Sequence, residues 1–77
     1  MYKLLDTVAL THDMPAVGLR RGDLGAIVEL LAHAAMEVEF VAGSGRTQAL
    51  VTLHAEDIRH VGDRDVIAVR TLERAEG

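Results

Sequence analysis

Met36-Glu37-Val38-Glu39-Phe40-Val41, then Ala42-Gly43-Ser44-Gly45, then Arg46-Thr47-Gln48-Ala49-Leu50-Val51-Thr52-Leu53, is the stretch on which the fold turns. Met36, Val38 and Phe40 alternate with Glu37 and Glu39. A period of 2 sends apolar side chains to one face of a strand and acids to the wet face. The glycines of the following turn can take the positive φ that a tight hairpin needs, so residues 46–53 return as the partner strand. Arg46 then stands where it could pair across the hairpin with Glu39 or Glu37.

The same punctuation continues outward. Upstream, Gly22-Asp23 turns the chain into an apolar run at residues 26–31, and residues 33–35 join that run to Met36 without a glycine or asparagine. Thr7-Val8-Ala9-Leu10 reads as the first strand, followed by a polar loop over residues 11–19 with Asp13, Pro15 and Gly18. Met14 precedes Pro15, which disfavours helix there. Downstream, His54-Ala55-Glu56-Asp57 has the composition of one helical turn, with its acids suited to the positive N-terminal end. Residues 58–61 make a last short strand. Five short strands, one long loop and one helical turn predict an all-β SH3-like small barrel over residues 1–61, closed so that no edge is left exposed.

Residues 62–77 form a C-terminal extension of different character. Gly62-Asp63-Arg64-Asp65 is a turn, and Val66, Ile67, Val69 and Thr71 predict a sixth strand over residues 66–72. A helix is the alternative: Val66, Val69 and Leu72 are three apart, and Glu73-Arg74-Ala75-Glu76 has helical propensity. The extreme end is expected to fray. Because the run is too apolar to be a solvated tail, Val66, Ile67, Val69 and Leu72 should pair with an edge of their own barrel or with a second copy. The homodimer is preferred, since a small core gains most from added burial.

Composition bounds the occupation. The chain has 77 residues, 49% of them hydrophobic, and no cysteine, so stability must come from one aliphatic core rather than from disulfides or thiolate metal sites. Its net charge is −4, and Arg20-Arg21 is the one adjacent basic pair. Tyr2 and Phe40 are its only aromatic residues besides the histidines. Dispersed basic residues and few rings oppose nucleic-acid binding, which needs neutralised phosphates or stacked bases. No run approaches the apolar length of a membrane helix, and Asp6 interrupts the N-terminal apolar residues too early for a signal peptide. No membrane and a cytoplasmic location are expected.

Four blocks carry a family likeness: Lys3-Leu4-Leu5-Asp6-Thr7-Val8-Ala9-Leu10, the run from Gly18 through Arg20-Arg21-Gly22-Asp23-Leu24-Gly25 to Glu29, Val38-Glu39-Phe40, and the run from Gly45 to Leu53. In order and spacing they resemble the short bacterial proteins of domain of unknown function 4926, over about residues 3–61. The resemblance implies an SH3-like barrel. It implies little about activity; small barrels usually work by surface recognition, and proteins resembling this family are candidates for antitoxin or immunity partners. Gly22 and Gly25 with the apolar strand after them are shared loosely with KOW-type modules, and such glycines serve bending and close backbone approach.

No catalytic set emerges. His54, Asp57 and His60 have the types of a metal site, but three ligands must converge on one point, so turn capping and solvent-exposed histidines are preferred and neither metal nor cofactor is expected. His12-Asp13 could orient an imidazole, yet no nucleophile is placed beside it; Ser44, the single serine, sits in a hairpin turn. Gly43-Ser44-Gly45-Arg46 lacks the spacing of a phosphate loop. Arg20, Arg21, His12 and Asp13 are the candidate partner contacts, arginine being frequent at binding hot spots. The expected occupation is a protein-binding module with an unidentified protein partner. The alternatives are a KOW-like nucleic-acid module and a structural subunit of a larger enzyme.

Overall fold

The computed structural model describes residues 1–72. Five antiparallel strands form one sheet: β1 (Thr7–Leu10), β2 (Leu24–Leu30), β3 (Ala35–Val41), β4 (Thr47–His54) and β5 (Ile58–His60), in the order β4-β3-β2-β1-β5. The first four run as a meander, and β5 returns to the free side of β1, which is SH3-like connectivity. Single 3-10 turns occupy Pro15–Val17 in the long loop and Ala55–Asp57 ahead of β5.

The alternation in β3 is realised residue by residue: Met36, Val38 and Phe40 are buried, while Glu37 and Glu39 are half-exposed. With Val8, Leu10, Leu19, Ile27, Leu53 and Ile58 they make one core, and Tyr2 and Met14 pack against it. Among the described residues no buried side chain is polar or charged. Gly25, opposite Val8 in the ladder, is required by space. A Cβ there would lie 2.7 Å from Val38 Cγ1 and 2.9 Å from Phe40 Cε2.

The β2–β3 hairpin shows how a turn without glycine is made. His33 (φ 62°) and Ala34 (φ 59°) both take the left-handed conformation, and the Ala35 N–H donates to the Ala32 carbonyl. Mirror-image turns of this kind match strand twist, but at residues with a Cβ they store strain. The weak turn signal in the sequence reflects that mismatch.

Three expectations are corrected. The ladder does not close: among the described residues no pairing joins β4 to β5, so both remain edges of an open sheet. β5 ends after three residues and is too short to carry a second ladder. Arg46 is not the partner of the β3 acids; the Thr47 hydroxyl donates to Glu39 and the Thr52 hydroxyl to Glu37. A threonine on the neighbouring strand reaches a carboxylate with less side chain to order than an arginine needs.

The third correction concerns the sixth strand. Residues 65–72 form neither strand nor helix, and Val66, Ile67 and Val69 are exposed, at 88%, 62% and 97%. Only Arg70 and Leu72 are half-buried within this run after Asp65. Strand propensity was present, but among the described residues the run pairs with neither free edge. The Arg59 guanidinium holds both oxygens of Asp65 (2.9 and 3.2 Å), and the Gly62 N–H donates to the same carboxylate at 2.6 Å. That turn carries the chain off the β5 edge. The helix alternative at Glu73-Arg74-Ala75-Glu76 and the frayed end lie outside the described residues, and no described residue of 66–72 is helical.

Candidate functional site

The long loop and the C-terminal strap, residues 65–72, are both fastened to the sheet by aspartates. In the loop, His12 Nε2 lies 2.8 Å from Asp57 Oδ1 and its Nδ1 lies 3.1 Å from the Asp13 carbonyl. With oxygen facing both ring nitrogens, the protonated ring is favoured. The hydrogen bond to Asp57, then that to Asp13, raises His12 above its ordinary 6.5. Asp57 is lowered, first by the His54 backbone N–H and then by His12. The Asp13 carboxylate accepts the Arg21 N–H at 2.8 Å, which sets the path of the chain into β2.

This arrangement sorts the residues singled out in the sequence. His12, Asp13 and Asp57 come together, with Arg21 joined through its backbone. His54 reaches Asp57 through its own N–H at 2.9 Å, as turn capping requires. His60 points elsewhere: its ring stacks on Tyr2 with centroids 4.2 Å apart, and its Nε2 lies 3.4 Å from Asp6. His54, Asp57 and His60 therefore do not converge, because Asp57 faces the loop while His60 faces the N-terminal segment.

A second site involves a residue pair that sequence reasoning missed. Asp23 receives two hydrogen bonds from Arg70, Nε to Oδ1 at 2.9 Å and Nη2 to Oδ2 at 2.6 Å. The Arg20 N–H donates to the same carboxylate at 2.8 Å, and Arg70 also donates to the Gly18 carbonyl at 3.0 Å. Burial pushes the Asp23 carboxyl up, but Arg70 and the Arg20 N–H outweigh it and hold it below its ordinary value. Of the two strap anchors among the described residues the pair is the more sheltered, at 27% and 19% side-chain exposure against 53% and 31% for Arg59 and Asp65. One signal could have found it: Arg70 is a lone cation inside an otherwise uncharged, β-branched run.

Beside this anchor lies an open cleft of about 530 Å³ between strap and sheet. Leu24 and Val41 form its apolar floor over the core residues Leu19 and Phe40, and Ile67 to Leu72 form its other wall. A smaller recess of about 320 Å³ adjoins it, where Asp13, Arg20 and Gln48 meet Arg70. Thus Arg20 and Asp13, predicted as partner contacts, border the anchored strap. Among the described residues no three histidines or carboxylates are grouped to hold a metal, and no helix is long and apolar enough to cross a membrane.

The profile of the family described as Domain of unknown function (DUF4926) matches residues 4–60. The match spans all five strands and stops before the strap. No curated protein and no solved structure is found to match the chain.

Proposed function

The chain belongs to the DUF4926 family, and from that premise we propose that it is a small protein-binding module acting through its surface, of antitoxin, immunity or accessory type. One observation carries this reading. The interior is committed to a solid aliphatic core, whereas the surface keeps a cleft of about 530 Å³ whose accessible apolar floor is Leu24 and Val41, backed by the core residues Leu19 and Phe40. Concave apolar surface rimmed by polar groups is where proteins take up partners. A net charge of −4 suits a basic partner, since complementary fields speed encounter. The same charge, with few aromatic rings, opposes a nucleic-acid role.

Co-expression with the products of adjoining genes, followed by light scattering on the eluted species, tests the reading. A stoichiometric complex with one of them is expected. The chain eluting alone in every case, together with tight binding to an oligonucleotide at physiological salt, would transfer the assignment to a nucleic-acid module. Exposed Val66, Ile67 and Val69 also suit pairing with a second copy, and the mass of the chain alone measures that.

A further inference from the structure

We propose that the cleft beside Asp23 is the docking site for an extended, apolar, arginine-bearing segment of a partner protein, and that the chain's own strap occupies it in the free state as an internal stand-in. The inference rests on the protein-binding reading and names the partner chemistry for it.

The charge complementarity is specific. A planar guanidinium bonding both oxygens of a carboxylate is the arrangement arginine makes and lysine does not. Asp23 presents such a carboxylate at the cleft, pre-oriented by the Arg20 N–H, with the Gly18 carbonyl beside it as a further acceptor. Arg70 fills that polar position completely. The apolar part of the strap does the opposite. Val66, Ile67 and Val69 stay in water although Leu24 and Val41 offer apolar surface beside them, and the cleft between remains open.

Among the described residues the strap is held at Asp65 and at Arg70 with no sheet pairing between them, and such a segment opens more readily than a strand in a ladder. A partner segment that places an arginine on Asp23 and seats its apolar side chains in the cleft makes the same polar contacts and buries more. Its affinity is reduced by the fraction of chains in which the strap is closed. The strap is thus a built-in threshold on binding.

The probe is a fluorescent peptide copying residues 65–72, titrated by anisotropy into the full chain and its variants. Arg70→Ala should bind it about tenfold more tightly than the unaltered chain, because the closed state is removed. Adding Asp23→Asn should abolish that binding, and amide shifts should map to Leu19, Leu24 and Val41. If the Asp23→Asn protein does not fold, a peptide with its arginine replaced by glutamine reads the same contact on Arg70→Ala and should fail to bind. Absence of saturable binding to Arg70→Ala, or equal binding by the arginine and glutamine peptides, overturns the proposal. A complex with an adjoining gene's product that survives Asp23→Asn unchanged would overturn this site while leaving the protein-binding reading standing.

Discussion

The meander β2–β4 and the two segments around it, the loop at residues 11–19 and the strap at 65–72, are held in place by different physics. In the meander, Ile27, Met36, Val38, Phe40 and Leu53 are each at most 4% exposed, and two ladders run along both sides of β3. That burial is non-directional and does not depend on ionisation. The loop and strap contribute one buried apolar residue between them, Leu19. Their positions depend also on Asp57, Asp13, Asp23 and Asp65, whose bonds are directional and partly solvated; those of Asp57, Asp23 and Asp65 are sensitive to proton binding. A domain built this way can release its periphery while its core stays folded.

The sharpest way to break the core side of that comparison is Phe40→Ala. Truncating a buried aromatic costs about 3–5 kcal/mol, which urea denaturation will report; a loss under about 1 kcal/mol would show that Phe40 is not part of the core. Next comes Gly25→Ala. Its new methyl group would meet Val38 and Phe40, and overpacking of that kind costs about 1–3 kcal/mol. Unchanged stability would mean that β2 can move away from β3 freely.

The peripheral side is tested by pH. Asp65 is lowered by Arg59 and the Gly62 N–H, and Asp23 is lowered on balance by Arg70 and the Arg20 N–H. A carboxyl with a lowered folded value stabilises above its ordinary 3.8 and loses that contribution as pH falls through the lowered value. Acidification should therefore move the amide chemical shifts of Ile67 to Arg70 toward random-coil values before those of β3 change. Simultaneous exposure of both regions would refute separate anchoring. His12 runs the other way: raised above 6.5, its contribution is complete below that value and is lost as pH rises through the raised one. Asp57→Asn should return its NMR titration toward 6.5, and an unmoved titration would deny the coupling.

The smallest expected effect is Val69→Thr. A side chain 97% exposed has no packing to lose, so stability should stay within about 0.5 kcal/mol of the unaltered chain. A larger loss at high protein concentration alone would place Val69 in contact with a second copy.

The alternation of Met36, Val38 and Phe40 with two acids, the glycine hairpin after Val41, and the aliphatic runs at Thr7–Leu10 and Ile58–His60 were enough to determine an all-β meander and its core, and His54 to Asp57 the helical turn before β5, while the turn at Pro15–Val17 was not legible. Each of those signals is carried by residues adjacent or two apart in the chain, so local conformational preference and burial agree. Which aspartate meets which base was decided elsewhere. His12 and Asp57 are 45 residues apart, and Asp23 and Arg70 are 47 apart. The fate of residues 65–72 was settled in the same way. Their β-branched composition favours extended backbone, but a strand also needs an edge in register, and the Arg59–Asp65 turn withholds it. Neighbouring residues set backbone preference, but only the folded sheet places a partner within hydrogen-bonding distance.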